Sequence, residues 1–258
     1  MTDQSIMRLG KLPRRHDPRT LKLARYMKST LPPAPPGVNY TRGITDWGMM
    51  LNDQLGCCTI AAVGHAVQTW TANASSELIF PDPVILDYYR SWDGYNPADP
   101  STDQGGVELD VLNDWRQQGF AGQALDAYAA IELGQRVYPT LPALDVMDAI
   151  WLCGGAYIGV ELPLTAQDQD VWDITHDHSP DAQPGSWGGH ALYLLAYDQD
   201  TLTCITWGQL KKMTWTWFSQ YCSEAYALVS KDWLKASGVS PSGFDLAALE
   251  ADLKLVTE

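Results

Sequence analysis

The chain of 258 residues carries 17 Lys and Arg against 31 Asp and Glu, which gives a formal net charge of −14. This acidic balance argues against a nucleic-acid partner, because nucleic-acid binding requires a basic face. No apolar run approaches the roughly 20 residues that span a bilayer, and no hydrophobic segment typical of a signal peptide opens the chain. We therefore expect no membrane partner and a cytoplasmic location, with a virion-associated location as the alternative.

Five cysteines are present, and their odd number in a chain of this size favours free thiols in a reducing compartment. They are Cys57, Cys58, Cys153, Cys204 and Cys222. A disulfide between the adjacent Cys57 and Cys58 would be strained, so we expect none there.

Positive charge is concentrated at the N-terminus. Residues 1–30 hold eight of the Lys and Arg but only Asp3 and Asp17 among the acids. We expect a basic arm over residues 1–37, closed by the Pro-rich connector at 31–37. Such an arm lies across the acidic body or reaches a partner, and a solvated tail is the alternative.

The remaining chain predicts a helix-rich part followed by a β-rich part, which is the α+β pattern. Helices are predicted from about 58, 81, 107 and 144, and strands at 127–131, 156–162, 191–197, 202–207, 213–218 and 225–229. We divide residues 38–230 into a helical lobe at about 38–125 and a β lobe at about 126–230. Residues 231–258 form a C-terminal extension with an amphipathic helix at 242–253.

The turn that leads into the first helix is the strongest chemical signal. Gly56 permits a sharp turn, and Cys58 follows it at or just before the helix N-terminus. Unpaired N–H groups and the helix dipole stabilise a thiolate at that position. We hypothesise that Cys58 is a nucleophile; the alternative is that Cys57 and Cys58 are ordinary buried thiols.

A histidine opens the predicted strand at 191–197. The motif Trp187-Gly188-Gly189-His190 lets this imidazole point across a lobe interface while its strand is held in a sheet. A Cys at a helix N-terminus with a His from another lobe is the arrangement that thiol catalysis needs. The imidazolium stabilises the thiolate and then protonates the leaving group.

In chain order, four segments resemble the motifs of the papain-like cysteine peptidases: Asn52–Cys58, Asp103–Gly106, Gly188–Ala191 and Thr206–Gly208. Three strings, Asn52–Thr59, Gly188–Ala191 and Thr206–Gly208, are also similar to uncharacterised bacterial and phage papain-fold proteins. The resemblance runs through most of residues 31–230. It implies a two-lobed α+β fold, with a helical N-terminal lobe, an antiparallel β-sheet or barrel as C-terminal lobe, and the site in the cleft between them. It also implies Cys58 as nucleophile, His190 as acid/base, and a peptide or protein substrate.

The oxyanion position departs from the family pattern. The family's Gln corresponds to Asn52 when the segment is aligned without a gap, or to Gln54 if two residues are skipped. We favour Asn52, because its amide can donate the same hydrogen bond as the Gln amide, beside the backbone N–H of Cys58.

The residue that orients the histidine also departs from the pattern. Ile205 stands where the family has Asn, and it cannot accept a hydrogen bond from imidazole. Thr206 or Gln209 can substitute if the strand is bulged. The residues expected to line the cleft are Trp187, Gly188, Gly189 and Trp207.

These residues predict a thiol-dependent hydrolase or acyltransferase that acts on an amide, isopeptide or thioester carbonyl without a cofactor. The alternative is a catalytically silent papain-fold module with a binding or structural role, related to phages or to host–phage conflict. The missing Asn and the unusual oxyanion segment favour that alternative.

An acidic loop precedes the histidine and contains Asp168, Asp170, Asp173, His176, Asp177, His178 and Asp181. A His-x-His with carboxylates can bind a divalent metal, but the spacing matches no metal motif, so we expect a solvated loop and no metal. Because the loop would lie beside the cleft, we expect it to select basic or amine-bearing substrates.

Overall fold

The computed structural model describes residues 7–27, 33–74, 76–133, 141–175, 179–231 and 233. Its helices are α1 (Cys58–Ala74), α2 (Asp82–Trp92), α3 (Glu108–Gln118), α4 (Leu141–Cys153) and α5 (Trp215–Tyr221). Its strands are β1 (Val38–Asn39), β2 (Ala127–Ala130), β3 (Ala156–Leu162), β4 (Val171–Trp172), β5 (Gly188–Tyr197), β6 (Thr201–Thr206), β7 (Gln209–Thr214) and β8 (Cys222–Val229). The helix-rich part precedes the β-rich part, so the α+β prediction is confirmed.

The strands form one sheet in the order β2-β8-β3-β5-β6-β7-β4, with β1 paired to β5. Neighbouring strands are antiparallel except for β4, which runs parallel to β7. The sheet is therefore open and mixed, where the sequence predicts an antiparallel sheet or barrel. The parallel pairing is confined to β4, a two-residue strand that joins the sheet shortly after a 3₁₀ turn at Leu164–Asp168.

The predicted strand at 213–218 is wrong. Strand β7 ends at Thr214, whose side-chain oxygen accepts the backbone N–H of Trp217 at 3.1 Å. This side-chain cap begins helix α5, which buries Trp217 and Phe218. The aromatic composition favours a strand, but the Thr cap and the burial of one helical face decide the local structure.

Helix α1 lies at the centre of the molecule. Its residues from Cys58 to Thr71 are all buried, and it packs against β5. The Tyr157 hydroxyl on β3 donates to the carbonyl of Thr59 at 3.0 Å, which fixes the first turn of the helix on the sheet. Trp70 stacks on Trp115 of α3 with ring centroids 5.5 Å apart. The N-terminus of α1 is thereby held against the sheet.

Residues 7–27 of the basic arm lie across the acidic body. Lys11 pairs with Gly106, and Lys22 pairs with Ala130 of β2, where it covers the edge of the sheet. Side-chain ion pairs join Arg15 to Asp110 and Lys22 to Glu132. A 3₁₀ turn forms at Leu23–Arg25.

At the other end of the chain, Trp233 is buried and donates its ring N–H to the carbonyl of Leu152 at 3.0 Å. The amphipathic helix predicted at 242–253 lies outside the described residues. The five cysteines are free, the adjacent Cys57 and Cys58 included. Within the described ranges, no helix has the length and apolarity that a membrane crossing requires.

Candidate active site

The two adjacent thiols face different surroundings. The Cys57 Sγ donates to the carbonyl of Met50 at 3.4 Å, inside the helical lobe. The Cys58 Sγ accepts the backbone N–H of Ala191 at 3.4 Å, across the junction between α1 and β5. Cys58 therefore meets the residue that follows His190, whereas Cys57 belongs to the core.

The His190 imidazole is held on two sides. Its Nε2 lies 2.6 Å from the Thr206 hydroxyl, and its ring stacks on Trp207 with centroids 4.2 Å apart and planes 10° from parallel. The Nδ1 atom is buried and has no hydrogen-bond partner in the described part of the chain. In the tautomer whose Nε2 donates to the Thr206 hydroxyl, the lone pair lies on Nδ1.

A bulge determines which residue of β6 reaches the histidine. The β5–β6 register shifts between Leu194 and Ala196. Ile205 pairs with Tyr193 and is buried in the core, so Thr206 contacts His190. Gln209 is exposed at the start of β7. Of the two substitutes named from the sequence, the structure therefore joins Thr206 to the imidazole and leaves Gln209 in solvent.

Trp207 covers the imidazole because of the turn between β6 and β7. Trp207 and Gly208 have φ angles of 47° and 69°, the left-handed pair typical of a tight two-residue hairpin turn. Trp187 stacks on Trp207, with ring centroids 5.5 Å apart. The two indoles and the imidazole form one aromatic stack that shields His190 from water.

The arm occupies the groove in front of Cys58. Gly10 packs against the backbone of Gly56 and Gly105. A Cβ added to Gly10 would lie 1.7 Å from the carbonyl oxygen of Gly56, and a Cβ added to Gly105 would lie 1.8 Å from the carbonyl oxygen of Gly10. Gly106 donates to the Gly10 carbonyl at 2.8 Å and accepts from Leu12 at 2.9 Å. A backbone hydrogen bond from Gly10 also acts to lower the pKa of the Cys58 thiol, so the arm reaches the sulfur.

Three of the four residues predicted to line the cleft, Gly188, Gly189 and Trp207, contact this arm. Gly189 accepts the backbone N–H of Lys11 at 3.1 Å, and the Trp207 indole donates to the carbonyl of Arg8 at 3.1 Å. A Cβ on Gly188 would lie 2.9 Å from the Leu9 side chain. The charge pattern predicts an arm that lies across the acidic body, but no local pattern marks the glycine at its centre.

The two oxyanion candidates differ in position. Asn52 is buried, and its carbonyl accepts the Arg8 N–H at 2.9 Å, so it borders the same groove. Gln54 is exposed in the turn that precedes α1. The oxyanion role of Asn52 stays a prediction.

Burial controls the ionisation of both reactive groups while the arm is seated. It raises the pKa of the Cys58 thiol to about 12 and lowers the pKa of the His190 imidazole to about 3. The thiolate expected at the helix N-terminus is therefore not favoured in this state. The helix N-terminus stabilises the thiolate and lowers the thiol pKa, but the desolvation of a fully buried thiol raises that pKa by more.

Asp103 supports the groove, and sequence reasoning did not assign it a role. Its Oδ1 accepts the backbone N–H of Gly56 at 2.9 Å and the Tyr89 hydroxyl at 2.6 Å. The same hydroxyl accepts the N–H of Gly105 at 3.0 Å. One carboxylate thus ties the turn before Cys58 to the glycines that contact the arm.

We expect Asp103→Ala to lower the free energy of unfolding by about 2 kcal/mol, because it leaves buried donors at Gly56 and Tyr89 without an acceptor. Urea denaturation measures the change. Asp87→Ala, on the exposed side of α2, is the control and should shift stability by less than about 0.5 kcal/mol. Equal effects of the two substitutions would contradict the role of Asp103.

Most of the acidic loop at 168–181 is described by the structure, but residues 176–178 are not among the described residues. Asp173 accepts the Thr214 hydroxyl at 2.8 Å. Among the residues that the structure describes, no group of His, Cys, Asp and Glu is arranged to hold a metal ion.

Comparison with solved structures defines the fold. The chain is similar to xylellain, a cysteine protease from Xylella fastidiosa, with a TM-score of 0.59 and 12% identity over 89% of this chain and 99% of that one. It is also similar to the proform of the ragweed pollen cysteine protease Amb a 11, with a TM-score of 0.54 and 11% identity over 79% and 69% of the two chains. The cysteine protease CMS1MS2 of Carica candamarcensis matches with a TM-score of 0.50 and 12% identity, over 76% of this chain and 99% of that one.

No protein-family profile matches the sequence, and no curated protein matches it. The structural similarity nevertheless confirms the resemblance inferred from the motifs at the level of the fold. The chain has the papain-like cysteine protease fold.

Proposed function

We propose that the protein is a thiol-dependent amide hydrolase of the cysteine peptidase type, held latent by its own N-terminal arm. The observation that carries this proposal is the contact between β5 and α1. His190 is anchored through Nε2 by Thr206, and the next residue, Ala191, donates to the Cys58 sulfur. Nδ1, which has no hydrogen-bond partner among the described residues, is then the atom available to exchange a proton with the thiol.

Catalysis begins when the arm leaves and water enters the groove. The Cys58 proton moves to Nδ1 of His190, and the thiolate attacks the carbonyl carbon of a peptide or protein substrate. The oxyanion accepts hydrogen bonds from the Cys58 backbone N–H and the Asn52 amide. The imidazolium protonates the leaving amine, and a water deprotonated by His190 then hydrolyses the thioester.

Latency has two physical causes. The arm fills the groove, and by excluding water it keeps both Cys58 and His190 neutral, as the directions of their pKa shifts indicate. Similarity to the Amb a 11 proform is compatible with an arm-covered state. A silent module would have no need for a paired, shielded histidine whose second nitrogen lacks a partner.

Site-resolved alkylation tests the proposal. Iodoacetamide labelling of all five cysteines should be followed by mass spectrometry across pH in a Gly10→Ala variant, whose arm cannot seat. We expect Cys58 to react at pH values well below roughly 8.5, the pKa of a free thiol. Adding His190→Ala to the Gly10→Ala variant should abolish this reactivity at low pH. Equal, slow labelling of the five thiols would instead support the silent module.

A further inference from the structure

The Lys11 side chain enters a closed acidic pocket beside the groove. Its ammonium group lies 3.0 Å from Glu224 Oε1 and 3.2 Å from Glu161 Oε1, and none of its side chain is exposed. The Lys11 backbone is held between Gly106 and Gly189, which flank the Cys58–His190 junction. The pocket therefore opens directly onto the groove that a substrate would occupy.

The pocket contains a third carboxyl group, that of Glu108. Glu108 is fully buried, and neither of its carboxylate oxygens has a hydrogen-bond partner in the described part of the chain. A Cβ on Gly159 would lie 2.8 Å from Glu108 Oε1 and 2.0 Å from the Lys11 Cε, so this carboxylate converges on the lysine. Three glutamates thus surround one ammonium group.

The electrostatics match a cationic occupant. Burial alone would lower the pKa of Lys11, but the surrounding carboxylates outweigh it and raise that pKa. Burial, together with the charge of Glu224, raises the pKa of Glu108 well above its ordinary value. Removing the ammonium group would deprive the buried Glu224 carboxylate of its ion pair, which is unfavourable.

The shape of the pocket matches an unbranched, long side chain. Gly159 provides the space, because any side chain there would overlap the Lys11 methylenes. Glu224 lies opposite Gly159 as the last pair of the regular β3–β8 register, which shifts only between Gly159 and Val160. Tyr226 donates to Glu224 Oε2 at 2.9 Å, which orients the carboxylate toward the ammonium group.

We propose that this pocket is the specificity pocket of the site: it receives Lys11 in the latent state and a lysine or arginine side chain of the substrate once the arm leaves. The inference rests on the proposed function, since it names the side chain that the same groove selects. It replaces the acidic loop before His190 as the source of a preference for basic substrates. The residues that determine the selection are Glu108, Glu161 and Glu224, with Gly159 providing the room.

The receptor role can be tested without catalysis. In Lys11→Ala the pocket loses its cation, and n-butylammonium should raise the urea midpoint of this variant because it binds the folded state. Neither n-butanol nor an equal concentration of sodium chloride should do so. The wild-type protein, with Lys11 in place, should not respond. Equal shifts with n-butanol, or no shift with n-butylammonium, would overturn the pocket as a cation receptor.

The substrate role is tested with internally quenched peptides in the Gly10→Ala protein. A single lysine is moved through the four residues before the scissile bond and compared with the uncharged isostere norleucine. We expect kcat/KM to favour lysine by at least about tenfold at one position. Glu224→Gln should abolish that preference, whereas Glu132→Gln, a partly exposed glutamate outside the pocket, should preserve it.

The outcomes separate the two proposals. Cleavage without a preference for lysine would overturn the specificity pocket and leave the proposed hydrolase intact. The absence of both cleavage and selective Cys58 labelling would reject the hydrolase, and the n-butylammonium measurement would still decide whether the pocket receives a basic side chain.

Discussion

Replacing Gly10 by alanine is expected to expose the nucleophile. The added Cβ would stand 1.7 Å from the Gly56 carbonyl oxygen, so the arm can no longer lie in the groove. The seated arm is held by the buried ion pairs of Lys11, whose loss costs about 3 kcal/mol or more. We therefore expect Cys58 to react with iodoacetamide roughly 100-fold faster than in the wild-type protein.

A time course of labelling, resolved by mass spectrometry, measures this effect. Gly43→Ala is the control, because a Cβ there meets none of the described residues within 4 Å and Gly43 lies outside the groove; its φ of 85° adds backbone strain that Gly10, which has no positive φ, lacks. Limited proteolysis should cut the Gly10→Ala arm and leave the control intact. A variant whose arm becomes susceptible to proteolysis while Cys58 stays unreactive would contradict arm-imposed latency.

Replacing Thr206 by valine is expected to slow hydrolysis without unfolding the protein. Valine preserves the shape of the side chain but removes the hydroxyl that lies 2.6 Å from the Nε2 of His190. A hydrogen bond to a charged group contributes about 1.5–3 kcal/mol, which corresponds to roughly 10- to 100-fold in kcat/KM. The measurement is peptide cleavage in the Gly10→Ala background, with the pH profile recorded for each variant.

Two further variants separate an orienting role from a structural one. Thr206→Ser keeps the hydroxyl and should restore most of the activity, with the pH profile of the parent. Thr203→Val removes a hydroxyl from the opposite face of the same strand and should change kcat/KM by less than about twofold. If Thr206→Ser is as impaired as Thr206→Val, the hydroxyl does not orient the imidazole.

The elements that carry Cys58 and His190 are predictable because their signals are local. Turn formers followed by helical periodicity mark the start of α1 at Cys58, and two glycines before an apolar run mark the start of β5. Local signals also misled, since the aromatic segment at 215–218 has strand composition and folds as α5. There a single Thr cap outweighs composition, and only packing reveals which face is buried.

The residue that meets the imidazole depends on strand register. Ile205, Thr206 and Gln209 are close together in the sequence, and the bulge in β5–β6 gives the contact to Thr206. A shift of one residue reverses which face of a strand a side chain occupies, so spacing alone cannot choose among them.

Sequence patterns were sufficient for the papain-like fold and for the choice of Cys58 and His190 as candidates, because both follow from neighbouring residues and from motif order. Tertiary structure alone decided that Gly10 packs against the turn before Cys58, that Lys11 enters a pocket built by Glu108, Glu161 and Glu224, and that burial raises the pKa of Cys58 and lowers that of His190. These properties depend on contacts between residues up to about 200 positions apart, and on the desolvation that such contacts cause.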